Sequence, residues 1–182
     1  PEYDDNFTIE MIIQKILKDD KQYDLSKIIS AYEFAAKAHE GQKRSSGQDY
    51  IIHPLAVAYI LLELGMDTDT ICAALLHDVV EDTDVTIEQI RSKFGADVAF
   101  LVDAVTKPNK EQVDNFQHIL ASVNGDVRVL VLKISDRLHN MRTLDGLPPR
   151  KQWKIASETQ FFFAPLAGRL GLYKVKSELE NL

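Results

Sequence analysis

The chain has 182 residues, 45% of them hydrophobic and 27% charged, which is enough for one domain with a sizeable core and marginal for two. Its formal net charge of −7 argues against a general nucleic-acid binder, but a local group of cations or a metal still suffices for a phosphorylated small molecule. No apolar run approaches the roughly 20 residues of a membrane span and no signal-peptide pattern opens the chain.

Spacing predicts helices from Thr8 to Asp19 and from Asp24 to Glu40, the second ended by Gly41. Residues 41–52 form a polar loop bearing Gly and Ser. His53-Pro54 then opens a helix with Pro in its first turn, ended by Gly65. Thr68 or Asp69 is expected to cap the next helix. The single cysteine, Cys72, lies there among Ile71, Ala73 and Ala74 and reads as a small core residue. It fits a reducing compartment, so a cytoplasmic location is expected. Thr86 with Gln89 makes a capping box for a short helix ending near Gly95, and another helix runs to about Thr106. A break is expected at Lys107-Pro108-Asn109.

The stretch from Val127 to Ile134 has the β-branched content of a strand. Leu130, Ile134, Leu138 and Met141, however, keep one helical stripe, and Asp136, Asn140 and Thr143 keep a second, polar one. A buried helix from about 126 to 144 is therefore expected. From Pro148 a long helix bent near Pro165 follows, with Phe161, Phe162 and Phe163 read as core, and a last helix starts near Leu172. The whole reads as one all-α domain over residues 1–182.

The densest chemistry is AALLHDVVEDT, residues 73–83, where His77, Asp78, Glu81 and Asp82 follow an apolar segment. Buried charge is costly unless paired or metal-bound, so a purely structural helix rarely carries this set. Four side chains stand out as ligands: His53, His77, Asp78 and Asp136. Two imidazoles and two carboxylates suit manganese, iron or zinc better than magnesium. Each has a plainer explanation alone: His53 as a helix start, Asp136 as the partner of Arg137 or a lysine. Glu81 and Asp82 are poorly placed as helix caps, because carboxylates are unfavourable at a helix C-terminus. Beside a metal they would accept a proton or orient water. Basic residues gather at Lys43-Arg44, at Arg137, His139 and Arg142, and at Arg150, Lys151 and Lys154. His39 reads as a packing histidine.

A His-Asp pair with a His upstream and an Asp downstream is the pattern of the HD phosphohydrolases. The chain further resembles the hydrolase domain of the RelA/SpoT family. The resemblance is carried by AHEGQ (38–42), YIIHP (50–54), LGMDTDTICAALLHDVVEDT (64–83), FGADVAFLVDAVTK (94–107), DRLHNMRTL (136–144) and PLAGRLGLYKVKSELENL (165–182). It implies an all-α HD-domain metal-dependent phosphohydrolase that uses Mn2+ to remove the 3′-pyrophosphate of ppGpp and pppGpp. It implies metal ligation by His53, His77, Asp78 and Asp136, catalysis by Glu81 and Asp82, and nucleotide contacts by Arg44, Asn140 and Thr143. Lys43 and Arg142 are further expected phosphate contacts. The last motif resembles the long bifunctional members, which continue into a synthetase domain. Departures from the family are Ser45 after Arg44, a short connection after Lys107 with Gln117-His118, and Gly168 where His is usual. An enzyme acting on another nucleotide such as NADPH, or a binding module without turnover, are the alternatives.

Overall fold

The computed structural model describes residues 3–19, 21–106 and 125–182. Among them there is no strand; an isolated bridge pairs Lys43 with Asp49, and the rest of the regular structure is helical, as the periodicities predict. The chain divides into two compact units, Asp5–Pro108 and Pro1–Asp4 with Asn109–Leu182.

In the first unit the helices are α1 (Ile9–Lys18), α2 (Leu25–Ala38), α3 (Ile52–Glu63), α4 (Thr68–Leu76), α5 (Val79–Asp82), α6 (Ile87–Phe94) and α7 (Ala96–Thr106). Their starts are set by side chains that accept the orphan N–H groups of the first turn: Thr8 from Met11, Asp24 from Lys27, and Thr86 in a full capping box with Gln89. α4 is capped by Asp67, which accepts from Thr70 at 3.1 Å, and not by Thr68 or Asp69 as spacing suggested. Thr68 instead accepts from the Asp24 backbone, and Asp69 pairs with Lys27 at 2.7 Å.

α4 is the centre of this unit and packs against α2, α3 and α7. All seven residues from Thr70 to Leu76 are fully buried. At about 1.5–3 kcal/mol for each fully buried Ile or Leu side chain, Ile71, Leu75 and Leu76 hold this helix firmly. Cys72 lies in the same core, where burial pushes its thiol pKa up to about 12. It is inert packing.

The second unit contains α8 (Val127–Arg142), α9 (Pro149–Glu158), α10 (Ala164–Arg169) and α11 (Tyr173–Asn181). α8 confirms the helical reading of the ambiguous stretch, with Leu130, Ile134, Leu138 and Met141 buried. The expected bend near Pro165 is a π-helical turn, Thr159–Phe163, joining α9 to α10. Proline has no N–H to give to the carbonyl four residues back and its ring clashes with it, so a wider turn is relieved of both problems. The phenylalanine run is only partly core: Phe163 is buried, but Phe161 is 78% exposed. Adjacent helical residues point about 100° apart, and three in a row cannot share one apolar face. The break after Thr106 and the Gln117-His118 departure lie outside the described residues.

Candidate metal centre

The carboxylate-bearing helix end is not the continuous helix that the sequence suggested. α4 stops at Leu76, and α5 begins at Val79. The His77 ring takes over the last-turn acceptor: its Nδ1 lies 2.5 Å from the Ala74 carbonyl, the oxygen that a continuing helix would offer to the Asp78 N–H. This contact makes Nδ1 the protonated nitrogen and leaves the Nε2 lone pair facing outward.

That lone pair meets another. His77 Nε2 is 3.1 Å from Asp78 Oδ2, and His53 Nε2, on the first turn of α3, is 3.8 Å from the same oxygen. The two imidazoles stand edge to face with centroids 5.5 Å apart, and their ligating nitrogens fall within 4.8 Å of each other. Both histidines are at most 5% exposed. Two electron-rich atoms at 3.1 Å repel unless a proton or a cation lies between them. Neutral imidazoles around a carboxylate oxygen are the donor set of a divalent transition metal, and the Ala74 carbonyl is the outer partner such a ligand needs. The residues fit a metal.

Tyr50 also addresses Asp78 Oδ2, donating its phenolic O–H at 2.7 Å. Asp82 and Glu81 follow on α5, both exposed. Partial burial, then the neighbouring Asp78 charge, holds the Asp82 carboxyl above its ordinary range. A carboxylate raised in this way is a better proton acceptor near neutrality. Gln42 fixes the local backbone by donating to the Asp82 carbonyl at 3.1 Å.

The loop before α3 is more ordered than its composition suggests. The Arg44 N–H donates to the Gln48 carbonyl and Gly47 N–H to the Arg44 carbonyl, both at 2.8 Å, with Gly47 at φ 90°. Lys43 is exposed and paired with Asp49. The Arg44 guanidinium folds inward, 3.6 Å from Asp5 and only 14% exposed.

In the second unit, Asp136, Asn140 and Thr143 keep the polar stripe along α8 and its C-cap, each partly exposed beside the buried apolar stripe. Asn140 Nδ2 lies 3.5 Å from Asp136 Oδ2, and Thr143 donates to the His139 carbonyl at 3.0 Å. Arg137 faces away from this stripe, bonded to Glu158 at 2.8 Å and stacked on Phe163. Arg142 forks onto both oxygens of Glu178 at 2.6 and 2.9 Å, with the Tyr3 ring beside it. Lys133 lies one turn before Asp136 on the same stripe, and burial pulls its ammonium below the ordinary lysine pKa. Its spacing of three from Asp136 and seven from Asn140 was a readable signal. Tyr50 and Gln42 were also missed, although both lie within the recognised motifs.

The sequence profile of the HD domain matches residues 31–173. The chain belongs to the HD-domain family. This HD domain is 51% identical over 163 residues to a probable guanosine-3′,5′-bis(diphosphate) 3′-pyrophosphohydrolase of Synechocystis, covering 85% of the chain and 21% of that protein. It is 48% identical over 179 residues to the Aquifex aeolicus guanosine-3′,5′-bis(diphosphate) 3′-pyrophosphohydrolase, covering 96% of the chain and 26% of the relative. The bifunctional (p)ppGpp synthase/hydrolase SpoT of Escherichia coli is 44% identical over 183 residues, with the same two coverages. The HD domain thus spans about a quarter of the length of these relatives. Among solved structures it resembles a metazoan ortholog of SpoT that hydrolyses ppGpp, with a TM-score of 0.69 and 25% identity over 88% of the chain and 96% of that protein.

Proposed function

We propose that this HD domain hydrolyses the 3′-pyrophosphate of ppGpp and pppGpp, releasing pyrophosphate and leaving GDP or GTP. The observation that carries the proposal is the buried His53–His77–Asp78 cluster, a donor set suited to a divalent metal, in a chain nearly half identical to relatives named for this reaction. Mn2+ is the proposed ion, with Asp136 as the further ligand. When bound it would polarise the phosphoryl group and acidify water.

The chain's own residues do the rest. Asp82, its carboxyl raised, accepts the proton of the attacking water, and Glu81 orients that water. Water oxygen bonds to the phosphorus next to the ribose, the bond from phosphorus to the 3′-oxygen breaks, and the 3′-oxygen regains a proton. Arg44, on leaving Asp5, offers a planar guanidinium to the guanine face, and Asn140 and Thr143 hold the ribose. Lys43 answers the phosphates after leaving Asp49, an exposed pair held by about 0–1 kcal/mol, and Arg142 does so against the stronger hold of its part-buried, bidentate bond to Glu178. The proposal extends to residues 1–182 acting as one cytoplasmic domain, followed in the full protein by a synthetase domain.

The test is incubation of the purified chain with manganese and ppGpp, pppGpp or NADPH, with product identification. Pyrophosphate with GDP or GTP is the expected outcome. Equal turnover of NADPH would favour a broader nucleotide phosphatase, and nucleotide binding without turnover a regulatory module.

A further inference from the structure

The residues that hold the hydrolytic carboxylates in place lie upstream of them, in a network centred on Tyr50. Its hydroxyl donates to Asp78 Oδ2 at 2.7 Å. Its ring packs on His39 with centroids 4.8 Å apart and meets His53 edge-on at 6.2 Å. His39 is 3% exposed and fixed through Nδ1 to the Gln42 side-chain oxygen at 2.8 Å. Gln42 closes the circuit twice. Its side-chain amide donates to the Asp82 carbonyl at 3.1 Å, and its own carbonyl accepts from the Tyr50 N–H at 3.0 Å. His39, Gln42 and Tyr50 therefore grip both Asp78 and Asp82 from the strand-like turn that leads into α3.

We propose that Tyr50 is a positioning residue that holds the ligand carboxylate Asp78 and, through Gln42, the backbone of Asp82, with His39 as the platform that aims its hydroxyl. The role rests on the metal-centre reading above. His39 is in this way more than packing: its ring sets the phenol's tilt, and the Gln42 bond sets the ring.

The test is calorimetric titration of the metal-free chain with manganese, with steady-state kinetics on ppGpp, for wild type, Tyr50→Phe and Tyr50→Leu. Tyr50→Phe keeps the ring on His39 and loses only the hydroxyl. It should melt like wild type, bind manganese about 10- to 100-fold more weakly, and lose kcat at saturating manganese with little change in KM. Tyr50→Leu should lose at least as much. Loss confined to Tyr50→Leu would mark the ring as packing and overturn the proposal, as would wild-type manganese affinity in Tyr50→Phe. Failure of the wild type itself to take up manganese would overturn the metal centre and this role together.

Discussion

At the scale of single residues, Asp82 is where stability and the proposed catalysis pull in opposite directions. Burial and Asp78 raise its carboxyl in the folded chain, so the fold favours the protonated form. The sign follows from linkage. Its favourable contribution is complete below the ordinary carboxylate pKa and is lost as pH rises through the raised value. At neutral pH, ionised Asp82 opposes folding of the metal-free protein. Asp82→Asn should therefore melt higher than wild type at pH 7 in the presence of a chelator, and the gain should vanish as pH approaches 4. The same variant should hydrolyse ppGpp roughly 10²-fold or more slowly, the scale of losing a positioned acid–base group. Glu81→Gln should likewise slow turnover while leaving manganese binding intact. Melting curves across pH and turnover rates check both. A second residue-scale prediction concerns Arg44, held 3.6 Å from Asp5. Arg44→Ala should raise KM for ppGpp more than it lowers kcat, by about 1–2 kcal/mol, because a stacked cation serves ground and transition states alike.

At the scale of elements, α4 connects local chemistry to the site, because its first turn is tied by Asp67 and its last turn presents His77. Asp67 accepts from both the Thr70 N–H and the Thr70 hydroxyl. Asp67→Ala should cost about 1 kcal/mol of stability, measured by urea denaturation, with turnover preserved once the protein is folded. α10 offers the converse. Gly168 sits inside this helix, and an added Cβ would meet only the flexible end of Lys176, at 2.8 Å from its Cδ. Glycine in a helix interior costs up to about 1 kcal/mol relative to alanine, so Gly168→Ala should stabilise by a few tenths of that after Lys176 moves aside. The element order was legible because α1, α2, α6 and α8 have distinct stripes and side-chain caps. The caps of α4 and the break at His77-Asp78 were not. Asp67, Thr68 and Asp69 are all plausible acceptors by type, and only the tertiary bonds of Thr68 and Asp69 to α2 and its cap decide among them. The break needs a histidine ring folded back onto Ala74, a contact that periodicity does not encode.

For the molecule as a whole, the acidic composition and the proposed anionic substrate set the terms. With a net charge of −7, long-range attraction for a nucleotide is absent, and Lys43, Arg44 and Arg142 each lie beside a carboxylate. The proposed ligands could be picked out of the sequence because buried imidazoles beside carboxylates have few structural uses. Tyr50 and Gln42, which bond to Asp78 and to the Asp82 carbonyl, could not, since phenol and amide are common in any fold and only position distinguishes them. If the cluster holds an ion in the folded chain alone, metal and fold are linked. Manganese at 100 times its dissociation constant should then stabilise by about 2.7 kcal/mol. For a chain of this size that corresponds to a rise in Tm of roughly 5–10 °C. The rise should reverse with chelator and disappear in His77→Ala, Asp78→Ala and Asp136→Ala. Calorimetric scans with and without manganese decide it. A full manganese-dependent rise in Asp78→Ala would remove that residue from the ligand set, and one in Asp136→Ala would show that α8 contributes no ligand.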